Sequence, residues 1–392
     1  MNANLPILMR SQRASANTNR LVAEFGLAPA WQSVAGASPA RNPIVPKNLN
    51  RVLNLDKPLP VGGGTVAARP SRPWLEFLRK IPTKAYNALF TPMGRKNLSY
   101  VFKKSLVRMN PQFRASGTLV YPLNDGQPFV LHADNRLSEL FYLERAYEPL
   151  EVMMLSKLVQ SGDVALDLGA NVGFYTAQLE RLVQPSGEVH AFEPGEGTFA
   201  KLAQTKKLLR LERAVLHPQA IGEAVGEADF WSSNCGNDAA QKSTHTPALA
   251  RELRHHRVPL TTLDALMAEL GESRAGKIAF VKCDIEGAEP AMLRGAKQLL
   301  DSENPPVWLM EHNREALVEH GASSADLLKS FAGCDIYFVP LCWPPSLMSV
   351  PQARKWNGVP DELPGECNLI VLPTRGMFAK RVEALRQANL LE

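Results

Sequence analysis

The stretch VALDLGANVGFYTAQLERL, Val164 to Leu182, decides the fold of this chain. It begins with apolar residues in the manner of a buried strand, breaks at Gly169, and continues with the apolar spacing of a helix. Gly169, Asn171 and Gly173 occupy the turn between the two elements. Such a turn holds a phosphate, holds another cofactor or simply reverses the chain, and the surrounding residues must separate these alternatives.

Strand and helix patterns alternate on both sides of this stretch, which predicts a parallel sheet covered by helices on both faces. The final two strand patterns, IYFVPLC and CNLIVLP, have no helical pattern between them, so the last strand is expected to pair antiparallel. The predicted fold class is therefore α/β and Rossmann-like, with a mostly parallel sheet and an antiparallel last strand. We assign residues 161–392 to this domain.

Residues 117–160 are predicted to form a hairpin and a helix that lead into the domain. TLVYPL and PFVLHA alternate apolar and polar residues around Asn124-Asp125-Gly126. An Asn-Gly or Asp-Gly pair between two strands is a strong hairpin signal. A single helix-like run follows, from about Leu137 to Val159.

The N-terminal extension is basic. The 392-residue chain has a formal net charge of +5, yet up to Asn110 its only acidic residues are Glu24, Asp56 and Glu76. Residues 1–73 lack sustained periodicity and are interpreted as a disordered basic tail or a targeting segment. Residues 74–116 are interpreted as a basic amphipathic helical segment. Two interpretations of residues 74–109 stay open, contact with a membrane surface or acidic partner and packing on the domain.

Cysteine usage and hydropathy bear on localisation. The five cysteines include no Cys-x-x-Cys pair, which argues against a zinc site and favours reduced thiols in a cytosol-like compartment. No apolar run approaches the ~18 residues of a membrane span. The predicted localisation is cytoplasmic, or organellar if the basic N-terminus is a transit peptide. No nucleic-acid partner is predicted, and the oligomeric state is left open.

The glycine turn departs from the dinucleotide fingerprint G-x-G-x-x-G. Asn171 stands where a second glycine lets a pyrophosphate approach the backbone, and Asp167 adds a negative charge that suits a cationic ligand. Glu193 ends the second strand, where an acid accepts hydrogen bonds from ribose hydroxyls; the alternative is a charge near a helix N-terminus. Ribose recognition beside a cation-friendly turn predicts S-adenosylmethionine as the cofactor.

Carboxylates crowd the end of a later strand, in FVKCDIEGAEP. Asp284 and Glu286 are candidates to orient an acceptor hydroxyl or take its proton, whereas Glu289 is interpreted as mostly structural. His312, at the end of the next strand in WLMEHN together with Glu311, is a further candidate base, its alternative role being structural. A divalent metal such as magnesium is compatible with these carboxylates but is not predicted.

Acceptor selection is predicted to come from two loops rich in aromatic and polar residues, FWSSNCGND (Phe230 to Asp238) and residues 343–366. The candidate substrate residues are Trp231, Asn234, Trp343 and Trp356.

These motifs together carry a family resemblance. VALDLGANVGFYT, HAFEP, PLTTLDAL, IAFVKCDIEGAEPAMLRGA and VWLMEH, preceded by YLERAYEPLEVMMLSKLVQSGD, resemble the FkbM-type S-adenosylmethionine-dependent methyltransferases. The resemblance covers about Gly117 to Pro373. It implies a class I methyltransferase sheet and O-methylation, often of a sugar or secondary-metabolite hydroxyl. It also implies cofactor contacts at Asp167, Gly169, Ala170, Asn171, Gly173, Tyr175, Glu193 and Asp284.

The function predicted is therefore an S-adenosylmethionine-dependent O-methyltransferase acting on a hydroxyl of a sugar, glycan or secondary metabolite. Two alternatives are kept, an NAD-type dehydrogenase and a non-catalytic cofactor-binding interaction module. Asn171 in the fingerprint disfavours the first, and the intact motifs disfavour the second.

Overall fold

The computed structural model of the chain describes residues 116–133, 135, 137–138, 141–142, 146–233, 253–340 and 352–392. All of them belong to one compact unit, Phe77–Glu392. The predictions for residues 1–73, and for 74–115, lie outside the described residues.

Strands are numbered here in chain order over the described residues. They are β1 (Thr118–Pro122), β2 (Pro128–His132), β3 (Val164–Leu168), β4 (Glu188–Phe192), β5 (Ala214–His217), β6 (Ala220–Ile221), β7 (Gly226–Ser233), β8 (Leu253–Thr261), β9 (Ile278–Cys283), β10 (Val307–Asn313), β11 (Asp335–Pro340), β12 (Arg354–Lys355) and β13 (Glu366–Leu372).

Helices are numbered in the same way. They are α1 (Pro149–Leu158), α2 (Phe174–Val183), α3 (Glu196–Leu209), α4 (Leu263–Leu270), α5 (Glu272–Ala275), α6 (Glu289–Arg294), α7 (Lys297–Asp301), α8 (Arg314–Glu319), α9 (Ser324–Leu328), α10 (Gly376–Ala379) and α11 (Val382–Gln387). None of these helices has the length and apolar character needed to cross a bilayer.

The main sheet has the strand order β12-β11-β13-β10-β9-β3-β4-β5. Neighbours from β10 to β5 pair parallel, whereas β13 runs antiparallel to both β10 and β11. The predicted α/β class with an antiparallel last strand is confirmed. Strand β3 lies centrally, and its residues alternate between the two faces: Ala165 packs in one hydrophobic cluster and Leu166 in the other.

The lead-in is a hairpin followed by a helix that is shorter than expected. β1 and β2 pair antiparallel across the Asn124-Asp125-Gly126 turn, as predicted. The run from Leu137 to Val159 is not one helix, because α1 begins only at Pro149. Glu148, the residue before α1, has a left-handed backbone with φ 42°. A proline disfavours helical geometry in the preceding residue, which explains the break.

A second, three-stranded sheet with the order β6-β8-β7 was not predicted. The pattern AVLHPQAIG divides at Pro218 into β5 of the main sheet and β6 of the small one. β8 pairs antiparallel with β7 along its length. Strand β7 of this small sheet forms part of the wall of a cavity at the edge of the main sheet.

Candidate functional site

A cavity of about 460 Å³ opens at the carboxyl ends of the parallel strands and against the small sheet. This is the position where open α/β sheets bind ligands. Residues that line it and bear on function are Tyr147 from the lead-in, Gly169 and Asn171 after β3, Glu193 after β4, Glu223, Asp229 and Trp231 at the small sheet, Asp284 and Glu286 after β9, and Glu311 in β10.

The turn after β3 forms the floor of the cavity. Gly169 has φ +80°, and a Cβ added there would lie 1.9 Å from the Asp284 carbonyl oxygen. Only glycine therefore lets the turn lie against the end of β9. Asn171 also has a left-handed backbone, with φ 49°, and its N–H donates to Glu193 Oε2 at 2.9 Å.

Glu193 connects this turn to the next strand. Its Oε1 accepts a hydrogen bond from the Gly195 backbone N–H at 2.9 Å, and Gly195 caps α3. Each carboxylate oxygen thus accepts a hydrogen bond from one backbone amide. Glu193 lies beside the N-terminus of α3 and also lines the cavity, and its contact with a ribose stays a prediction.

Four of the predicted cofactor contacts, Asp167, Ala170, Gly173 and Tyr175, lie behind the cavity lining, and their contact with the cofactor stays a prediction. Asp167 is buried and accepts a hydrogen bond from Thr176 Oγ1 at 2.6 Å; burial raises its pKa to about 6. A Cβ on Gly173 would lie 2.7 Å from Leu202 Cδ1, so this glycine serves the packing of α2 against α3. Ala170 is likewise buried outside the lining.

Tyr175 is the fourth, and it belongs to a buried polar network. Its hydroxyl donates to Glu148 Oε2, and Lys282 Nζ lies 5.2 Å from its ring centroid. Burial raises the pKa of Glu148, while the nearby Lys282 charge opposes that rise. Sequence reasoning missed Lys282, although it stands two residues before Asp284 in the same motif.

Asp284 lines the cavity at the end of β9. Its Oδ2 accepts a hydrogen bond from Lys282 Nζ at 2.7 Å. Burial of Lys282 lowers the pKa of its ammonium group, but the neighbouring Asp284 and Glu148 charges raise that pKa above its ordinary value overall. Lys282 therefore keeps its positive charge and forms an ion pair with Asp284.

Two further carboxyl groups in the cavity hold protons more tightly than usual. Burial, reinforced by the Asp284 and Glu289 charges, raises the pKa of Glu286 to about 8. Burial also raises the pKa of Glu311 well above its ordinary value, and Asp284 and Glu286 add to the effect. Glu289 lies outside the lining, where its Oε1 accepts the Ile285 N–H at 3.1 Å, in keeping with the structural role expected for it.

His312 does not reach the cavity, so its candidacy as the base is corrected. It is fully buried, with Nε2 2.8 Å from Ser324 Oγ and Nδ1 3.7 Å from Cys367 Sγ. Burial lowers its pKa to about 4. Successive side chains of a strand point to opposite faces, so β10 presents Glu311 to the cavity and turns His312 away.

One of the four acceptor candidates lies in the cavity wall. The Trp231 ring centroid is 4.9 Å from that of His255, and His255 Nε2 lies 2.9 Å from Asp229 Oδ1. Trp356 is corrected, because it packs on the core and its indole N–H donates to the Val359 carbonyl at 3.0 Å. Asn234 and Trp343 lie outside the described residues.

The described residues contain no group of three or more His, Cys, Asp and Glu side chains arranged to hold a metal ion.

The sheet order and the cavity at its carboxyl edge define a cofactor-binding α/β domain of class I methyltransferase topology. Residues 167–334 match the family model described as the methyltransferase FkbM domain. The predicted resemblance to FkbM-type methyltransferases is therefore confirmed over these residues. The family match agrees with S-adenosylmethionine as the cofactor. Curated protein sequences give no match.

Solved structures resemble the chain at low identity. Methyltransferase FkbM from Methylobacillus flagellatus is 14% identical, with 59% of this chain and 52% of that one covered and a TM-score of 0.32. An S-adenosylmethionine-dependent O-methyltransferase from Thermotoga maritima is 14% identical, with 69% and 83% covered and a TM-score of 0.32. A methyltransferase from Aquifex aeolicus is 11% identical, with 57% and 87% covered and a TM-score of 0.29. The chain thus spans about half the length of the Methylobacillus protein.

Proposed function

We propose that this domain is an S-adenosylmethionine-dependent O-methyltransferase whose acceptor is a hydroxyl of a neutral sugar, glycan or secondary metabolite. One observation carries the proposal. A single cavity joins the Gly169 turn and Glu193, suited to an adenosyl group, to a wall that carries Trp231 and several carboxylates.

The residues present fit this cofactor. Gly169 and Asn171 place the turn after β3 in the cavity lining, so a ligand in the cavity can contact this turn. Glu193 lines the same cavity at the end of the second parallel strand, where an acid in nucleotide-binding α/β folds accepts hydrogen bonds from ribose hydroxyls. When bound, the cofactor supplies an electrophilic methyl group on a positively charged sulfonium.

The charge of the cavity supports a cationic donor and an uncharged acceptor. Six acidic side chains line it, and no lysine or arginine does among the described residues: Glu193, Glu223, Asp229, Asp284, Glu286 and Glu311. This lining offers a ligand many carboxyl oxygens and none of those basic side chains, which favours a sulfonium over phosphate or carboxylate groups. The same lining disfavours the pyrophosphate of NAD, which weakens the dehydrogenase alternative.

Catalysis by these residues requires mainly alignment. Trp231 offers an apolar ring face of the kind that packs on a sugar ring, and Asp284 offers a charged oxygen to orient a hydroxyl. Holding the acceptor oxygen ~3 Å from the methyl carbon removes much of the entropic barrier.

Calorimetry followed by a transfer assay tests the proposal. Titration with S-adenosylmethionine should show saturable binding, and titration with NAD should show none. Methyl-labelled donor should then label neutral hydroxylated acceptors, while the same sugars bearing a phosphate stay unlabelled.

Each of the other outcomes contradicts one part of the proposed function. NAD binding without S-adenosylmethionine binding favours the dehydrogenase. Donor binding with no labelled product across sugars, glycans and cell extracts favours the non-catalytic module. Preferred labelling of phosphorylated acceptors contradicts the charge argument. Trp231→Ala should weaken acceptor binding and leave donor affinity unchanged. Trp356→Ala, the matched control outside the cavity, serves as the comparison.

A further inference from the structure

Among the acidic side chains that line the cavity, Asp284, Glu193, Glu223 and Asp229 are engaged by protein groups whose contacts are defined. Their partners are Lys282 for Asp284, the backbone N–H groups of Asn171 and Gly195 for Glu193, Arg294 for Glu223, and His255 for Asp229. Each of these four carboxylates therefore already has a hydrogen-bond or ion-pair partner in the protein.

Glu311 differs from these four. Its Oε2 is buried and accepts no hydrogen bond from the described residues. A charged oxygen in such a position is unfavourable, because neither water nor a donor compensates its desolvation. Burial accordingly raises the pKa of Glu311, and the neighbouring Asp284 and Glu286 charges raise it further. The carboxyl group therefore keeps its proton until a positive charge enters the cavity.

We propose that Glu311 loses this proton when the cationic methyl donor binds and then accepts the proton of the acceptor hydroxyl during transfer. The inference rests on the proposed function and deepens it, since it names the proton acceptor. It also replaces His312, which the strand turns away from the cavity.

The proposed step balances. The Glu311 carboxylate takes the hydroxyl proton as the acceptor oxygen uses a lone pair to form the new O–CH₃ bond. The S–CH₃ bond breaks, and its electron pair remains on sulfur, which becomes a neutral thioether. Products are the methyl ether, the neutral thioether and protonated Glu311, so the positive charge and the negative charge disappear together.

This coupling suits the surroundings of Glu311. A cation in a low-dielectric cavity lowers the pKa of a nearby carboxyl group, and loss of the positive charge restores the original pKa. The charged and titratable groups that face Glu311 from the packed elements are Lys282, Cys283 and Asp284 on β9 and its end, Glu286 and Glu289 beyond it, Tyr147 in the lead-in and Cys367 on β13. Of these, Lys282 is the cation, and it is already paired with Asp284.

Calorimetry with two ligands measures the predicted proton release. Full-length protein is titrated with S-adenosylmethionine and with S-adenosylhomocysteine at pH 7.5, each in buffers of different ionisation enthalpy. Both ligands carry the same amino acid and adenosyl ends, so the difference between them reports the sulfonium charge alone.

We expect S-adenosylmethionine to release about half a proton or more in excess of S-adenosylhomocysteine. Glu311→Gln should lose most of that excess and still bind S-adenosylhomocysteine within about threefold of the unmodified protein, which also shows that the variant is folded. Glu315→Gln, the same change on the exposed side of α8, is the matched control and should keep the excess.

The acceptor identified by labelling provides a second readout. Single-turnover transfer by Glu311→Gln should be slower by about 100-fold or more, as expected for loss of a proton acceptor, with donor affinity little changed.

The outcomes separate the two proposals. An undiminished excess in Glu311→Gln overturns the assignment of Glu311 while the methyltransferase function stands. Loss of the excess in Glu286→Gln, but not in Glu311→Gln, moves the proton to Glu286 and also overturns it. Failure of the unmodified protein to bind either ligand overturns the proposed function, and this inference with it.

Discussion

The backbone of Gly169 lies so close to β9 that its missing side chain is a structural requirement. A Cβ would lie 1.9 Å from the Asp284 carbonyl oxygen and 2.9 Å from the carbonyl carbon, both of them backbone atoms that cannot rotate aside. The turn after β3 and the backbone of Asp284, which also lines the cavity, are therefore in direct contact. A change at position 169 alters both.

Gly169→Ala should lower the free energy of unfolding by about 3 kcal/mol and abolish detectable S-adenosylmethionine binding. Two terms add, the left-handed backbone at φ +80° and the clash with Asp284. Gly126→Ala separates them, because Gly126 has φ +79° and nothing within 4 Å of an added Cβ. That control should lose only about 1 kcal/mol in denaturant unfolding. Equal losses in the two variants would show that the close approach carries no energy.

The sequence located the cavity residues that sit at strand ends, and it failed where side-chain direction decides. Gly169, Glu193 and Asp284 follow apolar strands, so their position at the carboxyl edge was predictable. Glu311 and His312 lie at that same edge, but as neighbours in one strand their side chains point to opposite faces of the sheet. Only the strand register shows which of the two lines the cavity.

At the scale of elements, the lead-in is part of the site. An aromatic cluster joins β2 to the start of α2: the Phe141 ring lies 4.8 Å from that of Phe129 and 4.9 Å from that of Phe174. Phe141 also lies 5.3 Å from the ring of Tyr147, which lines the cavity. The hairpin thus supports one wall of the cofactor site through these four rings.

Phe141→Ala should destabilise the protein by about 3–5 kcal/mol, because it removes a fully buried ring and leaves a space between its three aromatic neighbours. Donor affinity should fall as well, since Tyr147 loses its support. Val120→Ala, in the exposed part of the same hairpin, should change stability by less than about 0.5 kcal/mol. Denaturant unfolding and calorimetry measure both effects. Unchanged donor affinity in a folded Phe141→Ala would mean that the lead-in does not shape the site.

The elements that the sequence did not predict have weak hydrophobic patterns. In β8 the only fully buried described side chain is Val258, and the strand contains Pro259, so neither alternation nor composition indicates a strand. It pairs with β7 nonetheless, because β7 supplies the apolar face and the partner edge. Main-sheet strands such as β3 are buried throughout and were therefore visible as apolar runs.

At the scale of the whole molecule, several buried acids make stability depend on pH. Burial raises the pKa of Glu286 to about 8 and those of Glu151 and Glu289 to about 7. Burial also raises the pKa of Glu311 well above its ordinary value. In the unfolded chain a glutamate titrates near ~4.3, so between these values the folded state binds more protons than the unfolded state. Stability from these groups is therefore present at low pH and lost as pH rises.

Buried histidines act in the opposite direction at lower pH. Burial lowers the pKa values of His217 and His312 to about 4, below the unfolded value of ~6.5. Their contribution is complete above ~6.5 and is lost as pH falls below it. Between pH ~4.5 and ~6.5 the histidines therefore offset the acids, and above that range the acids act alone.

The free energy of unfolding should accordingly fall by about 3 kcal/mol or more between pH 6.5 and pH 8, measured by denaturant titration without ligand. Glu286→Gln should flatten this decline, because it removes one group that stays protonated only in the folded state. Glu315→Gln, outside the cavity, should leave the slope as it is. Stability that is flat or rising over this interval would show that the cavity carboxylates are ionised in the unliganded protein. In that case they would already be charged before the cationic donor arrives, and the excess proton release on donor binding would be absent too.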